Sequence, residues 1–206
     1  MHKKGIILLS LLLIALAACS EAPKKAQKAK EPEKPAEPVT GRYAFHQMFA
    51  AARSWSPDIE TLKLNSINLP GVKHVDGKAS AWQVVFVSQA KQRSKSWTYS
   101  VVEAEGNLHK GVFAGLEEGY SGPRGATKPF LIAALKEDSD QAYKVATGKA
   151  ADYMKKNPDM QIVYQLELTG RNPNPVWRVI WGDSVSHSNF SILVDASTGQ
   201  YVSTMH

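Results

Sequence analysis

From Met160 to Thr169 apolar and polar side chains alternate almost without a break. Met160, Ile162, Tyr164, Leu166 and Leu168 fall on one side and Gln161, Gln165, Glu167 and Thr169 on the other, with Val163 the exception. Successive strand side chains point to opposite faces, so a period of two over this length predicts a strand with one buried face and one wet face. Such a strand needs backbone partners and a second layer over its apolar side. The neighbouring sequence offers both. Ala142, Val145, Ala146, Tyr153 and Met154 recur at helical spacing, with Ser139 as the expected N-cap and Asn157-Pro158-Asp159 as the stop. After the strand, Asn172-Pro173-Asn174-Pro175 predicts a turn, and Val176–Trp181 and Asn189–Asp195 predict strands. Asp195-Ala196-Ser197-Thr198-Gly199 predicts a tight turn: Asp195 accepts backbone N–H bonds, Gly199 takes positive φ, and Gln200–Ser203 returns as a short strand.

The same order of signals occurs earlier in the chain. Thr40 is positioned to cap a helix from Gly41 to about Trp55, whose buried face is Phe45, Met48, Phe49 and Ala52. Ser56-Pro57-Asp58 stops it. Strands are expected at Leu62–Leu69, Ala81–Ser88, Trp97–Glu103 and Leu108–Phe113. Trp82-Gln83-Val84-Val85-Phe86 matches Trp177-Arg178-Val179-Ile180-Trp181, which marks a degenerate internal repeat. The fold expected is α+β, with two tandem units, 42–113 and 138–206, each a helix packed on an antiparallel sheet. Residues 114–137 read as a glycine-rich connector, in which Phe130–Leu135 suits helix or strand.

Ahead of the body, Lys3-Lys4 precedes an apolar run from Gly5 to Ala18, the layout of an export signal and too short for a comfortable membrane span. It closes on Leu16-Ala17-Ala18-Cys19, which resembles the bacterial lipobox. The resemblance implies cleavage after residue 18 and a diacylglycerol on the Cys19 thiol. Cys19 is the single cysteine, so no intramolecular disulfide supports the fold, and lipidation would remove a reactive thiol. Ser20, with no aspartate after the cysteine, resembles the sorting pattern of outer-membrane lipoproteins. The expected location is the cell envelope, lipid-anchored and facing the periplasm. Residues 19–41 mix Lys, Glu and Pro without an aromatic, a composition that cannot offset its own ordering entropy, so they are expected to form a tether.

In the second unit, Asp140, Ala142 and Ala146, Pro158-Asp159, Val176-Trp177-Arg178-Val179 and Val194-Asp195-Ala196-Ser197-Thr198-Gly199 together resemble the PepSY domain. The first unit matches less well, with Val102-Glu103-Ala104-Glu105-Gly106 in place of the aspartate hairpin. The resemblance implies a cystatin-like fold, no catalytic residues, and a role in binding or restraining a peptidase.

The residues themselves point the same way on chemistry. No nucleophile elbow, metal-ligand motif or phosphate loop is present, so the chain reads as a non-enzyme with no cofactor and no metal site. His74, Asp76 and His109 are the nearest approach to a ligand set. The net charge of +6, or +4 without Lys3 and Lys4, is spread among acids and gives no nucleic-acid footprint. The expected contacts are the membrane, through the lipid alone, and a protein partner. The candidate binding residues are Trp82, Trp177, Arg178 and Trp181. The tryptophans suit core packing or an aromatic cleft between the units for a small ligand, peptide or glycan. Arg178 suits a cross-strand ion pair with Glu167 or an anionic ligand.

Overall fold

Thr40 caps the first helix as its residue type predicts: its hydroxyl accepts from the Tyr43 N–H. The computed structural model describes residues 35–206 except Asn107, Arg124 and Asn189. The expected signal segment, Cys19 and the tether before residue 35 lie outside the described residues. In chain order the elements are β1 (Val39–Thr40), α1 (Gly41–Ala52), β2 (Ile59–Ile67), β3 (Lys78–Ala79), β4 (Ala81–Ser88), β5 (Arg93–Ser100), β6 (Gly111–Gly119) and β7 (Thr127–Lys128). A 3-10 turn at Ile132–Ala134 leads to α2 (Ser139–Lys156), β8 (Ile162–Thr169), β9 (Val176–Trp181), β10 (Phe190–Asp195) and β11 (Tyr201–Met205). No described helix is long and apolar enough to cross a membrane.

The fold is α+β, with two helices and one large antiparallel sheet. Strand order is β11-β10-β9-β8-β2-β4-β5-β6, with β7 joining β8 beside this path. The expectation of one sheet per unit is therefore corrected: β2 and β8 pair directly, through Lys63 with Glu167, Leu64 with Leu166 and Asn65 with Gln165. Both strands pair on both edges, which makes them the middle of the sheet. The expected 113/114 boundary also falls inside β6, which runs on to Gly119.

Register explains why one core suffices. Val194, Trp177, Leu166, Leu64, Val84 and Trp97 form a single apolar row across six strands. Both helices pack into the same hydrophobic cluster: Ala44, Phe45, Met48 and Ala52 from α1, and Ala142, Ala146 and Ala150 from α2. The fully buried apolar residues of α2 are all alanine, which lets helix and sheet approach closely. Val145, Tyr153 and Met154 pack at its margin, only partly buried.

The helix starts meet. The Asp138 carboxylate, not Ser139, caps α2, and the same oxygen accepts from the backbone of Ser139 at 2.6 Å and of Arg42 in α1 at 2.8 Å. One anion thus serves the positive ends of two helices. Ser139 is the first residue of α2, and its buried hydroxyl accepts from Gly41 N–H at 2.8 Å and donates to Gly77 C=O. Gly77 N–H donates in turn to the Tyr164 hydroxyl at 2.9 Å. Gly41 has to be glycine: a Cβ there would lie 2.5 Å from the Trp177 ring and 2.9 Å from the Trp82 ring.

The Ser56-Pro57-Asp58 stop is also a staple. The exposed Asp58 carboxylate accepts from the Ser56 and Ser88 hydroxyls, each at 2.6 Å, and from Ala90 N–H at 2.9 Å. Those bonds, the Ser56 hydroxyl first, lower its pKa to about 2 from the ordinary carboxylate value. A depressed acid stabilises the fold above its unfolded pKa and loses that contribution as pH falls through its folded pKa. The stability gap between the protein and its Asp58→Asn variant is therefore expected to hold above pH 4 and shrink between about pH 4 and pH 2. Urea unfolding across that range checks it; a gap independent of pH would refute the staple.

Candidate functional site

The candidate binding residues separate on folding. Trp82 and Trp177 are wholly buried, their rings 6.1 Å apart in an edge-on contact beneath Gly41. Their indole N–H groups donate to Val39 C=O and Glu137 C=O. They offer no surface to a ligand, so the aromatic-cleft reading is corrected for these two: they are core. Trp181 is also buried, at 1 % exposure, against Tyr153 and Phe190. Unlike the other two, its indole N–H has no partner, and the ring lines a surface groove.

Arg178 lies on the opposite sheet face, in a polar row formed by Arg178, Gln165, Asn65, Gln83 and Thr98. Its Nε donates to the Ser191 hydroxyl at 2.9 Å. Glu167 accepts from the Thr127 hydroxyl and stands across from Val176 and Lys63. The expected ion pair is thus replaced by the Ser191 bond, because Glu167 is displaced from Arg178 by two positions of register. Burial lowers the Arg178 pKa, and the Glu167 charge opposes that. The Gln165 side-chain amide donates to Asn65 Oδ1 at 3.2 Å. Gln165 and Thr98 in this row are buried, and the bonds of Arg178 to Ser191 and of Gln165 to Asn65 make it a structural polar layer of the central sheet.

His109 sits against Glu103, whereas His74 lies 3.7 Å from Asp76, so the three do not converge. Asp195 performs the turn role expected of it, accepting from Ser197 N–H at 2.8 Å and Thr198 N–H at 2.9 Å, with Gly199 at φ +72°. Burial works against its charge, but Asn174 and the two backbone N–H groups prevail and lower its pKa.

Two open surfaces among the described residues bear on binding. One is the groove of about 810 Å³ along α2, lined by Tyr143, Gly148, Ala151, Met154, Lys155 and Trp181 among others. It joins a second hollow through His74, Pro158, Met160 and Ile162, where the end of β2 meets the start of β8. Sequence reading named Trp181 as a candidate but did not join it to the other lining residues, which come from three separated segments. The signal that was present is Gly148, a glycine in the middle of a helical pattern. Burial pushes the Tyr143 phenol at one end of the groove up to about 12, with the neighbouring Asp76 carboxylate adding to the shift.

The other open surface is the sheet edge. Among the described strands, β11 pairs only with β10, and β6 only with β5. β6 carries Glu117, Glu118 and three glycines, and Glu117 accepts from the Trp55 indole. β11, Tyr201-Val202-Ser203-Thr204-Met205, has no charge, glycine or proline. Tyr201, Val202 and Met205 are each more than a third exposed.

The fold and these surfaces define an α+β protein built on one antiparallel sheet with a free, uncharged edge. Comparison with known proteins finds no family model, no curated protein and no solved structure that matches the chain.

Proposed function

We propose that this chain is a non-catalytic, lipid-anchored envelope protein whose body binds a protein partner by accepting an added strand at β11. The observation that carries the reading is the character of that edge. A strand of five uncharged residues with one edge unpaired among the described strands is a template for another chain, and natural sheets usually guard such edges, most strongly with charge or proline. β6 is guarded by charge and glycine, whereas β11 is uncharged and its one irregularity is a bulge at Val202.

The finer architecture belongs to the same proposal. A helix followed by four long strands occurs twice, the two-residue β3 and β7 aside, and strand order runs outward in both directions from the β2–β8 pair. This supports two cystatin-like units of PepSY type fused through their first long strands. The PepSY resemblance makes a secreted peptidase the partner class to try first. The Leu16-Ala17-Ala18-Cys19 motif supports an envelope location with the lipid on Cys19.

The test is a pull-down from envelope extract of the source cells with the protein and its Val202→Lys variant. Val202 is exposed, so lysine there leaves the core intact while charging the edge. The expected result is a stoichiometric partner retained by the parent protein and at least tenfold depleted with the variant. Equal retention would place the interface elsewhere. Acyl labelling lost on Cys19→Ala checks the anchor in the same cells.

A further inference from the structure

The groove along α2 has properties that neither the core nor the β11 edge uses. Gly148 stands mid-way along an 18-residue helix, where glycine is a poor choice for stability. A Cβ at Gly148 would meet nothing within 4 Å, so no close packing in the fold requires glycine there. Ala151, exposed one turn on, continues the smooth wall. Trp181, one of the residues lining the groove, is nearly wholly buried, and its indole N–H has no acceptor, as is also the case for Trp97 elsewhere in the fold.

Charge and polarity say what would fill it. Met154, Met160, Ile162 and Trp181 give an apolar floor. Lys144 and Lys155 line the α2 side, roughly 16 Å apart by the helical rise. Asp76 is the one carboxylate among the lining residues, and it acts on Tyr143, near the Lys144 end. Trp181 contacts Tyr153, which places it toward the Lys155 end, where no groove-lining residue is acidic and Asp159 lines the adjoining hollow. The Lys155 ammonium therefore suits an anion, and the open wall at Gly148 an apolar filler.

We propose that this groove binds a single-chain anionic amphiphile. Its carboxylate or phosphate head sits beside the Lys155 ammonium. Its apolar chain runs over Ala151 and Gly148 toward Thr147. The volume, about 810 Å³, is within the range of small-molecule sites. This site goes beyond the protein-binding edge and stands or falls separately from it.

The experiment is calorimetric titration of the full chain with laurate and, separately, with monoacyl lysophosphatidylglycerol. Gly148→Leu and Lys155→Glu variants and uncharged dodecyl maltoside serve as controls. Saturable one-to-one binding of at least one anion is expected, tenfold or more weaker for Lys155→Glu and for the maltoside, and lost in Gly148→Leu. Gly148→Leu should melt no lower than the parent, since the new side chain starts in open space and leucine favours helix. Preference for laurate would mark a free fatty acid as the ligand; preference for the lysolipid would mark a membrane-derived one. No saturable binding of either anion, or undiminished binding by a folded Gly148→Leu protein, would overturn the site.

Discussion

Replacing Trp177 with alanine is expected to lower the unfolding free energy by about 3–5 kcal/mol, the usual range for deleting a buried aromatic side chain. Trp177 has zero exposure. It lies in the apolar row that crosses the β2–β8 seam, touches Trp82 from the other half, and donates to Glu137 C=O just before α2. Its loss opens a cavity between both helices and the sheet, so both halves should lose stability in one transition. Urea unfolding, followed by far-UV circular dichroism and by tryptophan fluorescence, checks this. Two separated transitions, with only the later elements affected, would show that the halves fold independently. Trp82→Ala should cost a similar amount. The double variant should fall short of additivity, because the two rings share one cavity.

Ser139→Ala is expected to cost about 2–4 kcal/mol, an unusually large effect for removing one hydroxyl. Ser139 is fully buried, and its oxygen satisfies two backbone groups remote in sequence, Gly41 N–H and Gly77 C=O. Alanine fills nearly the same volume but strands a buried donor and a buried acceptor. Each then carries its own desolvation penalty, about 1–3 kcal/mol. The same unfolding measurements decide it. A loss under about 0.5 kcal/mol would mean that water or a neighbouring group replaces the hydroxyl.

Much of the secondary structure is legible in the sequence, for reasons local to each segment. The expected spans Ala81–Ser88 and Val176–Trp181 coincide with β4 and β9, because a run of branched and aromatic residues between breakers leaves little choice. The Asp195 turn follows from short-range bonds that its own side chain makes. Strand β5 shows the opposite case. Expected at Trp97–Glu103, it spans Arg93–Ser100, since pairing with β4 through the Gln89–Gln92 turn recruits a polar stretch that carries no strand signal of its own. The Arg178–Glu167 pairing failed for a related reason: alternation assigns a face, but register decides which residues on that face are opposite.

The candidate surfaces divide the same way. Burial was the better reading of the tryptophans, and composition is enough to favour it. That Trp82 and Trp177 are closed off while Trp181 lines a groove depends on Gly41, α1 and α2 meeting over the first two, and nothing within any single segment encodes that meeting. What this chain's sequence determined by itself is each element's type, the apolar face it must bury and the turns that separate them, because propensity, alternation and capping act over a few residues. What only the tertiary structure decided is that two similar halves share one sheet and one core. Two strands with adequate backbone edges, β2 and β8, gain by pairing with each other. That gain rests on contacts between residues about a hundred positions apart, beyond the reach of any local signal.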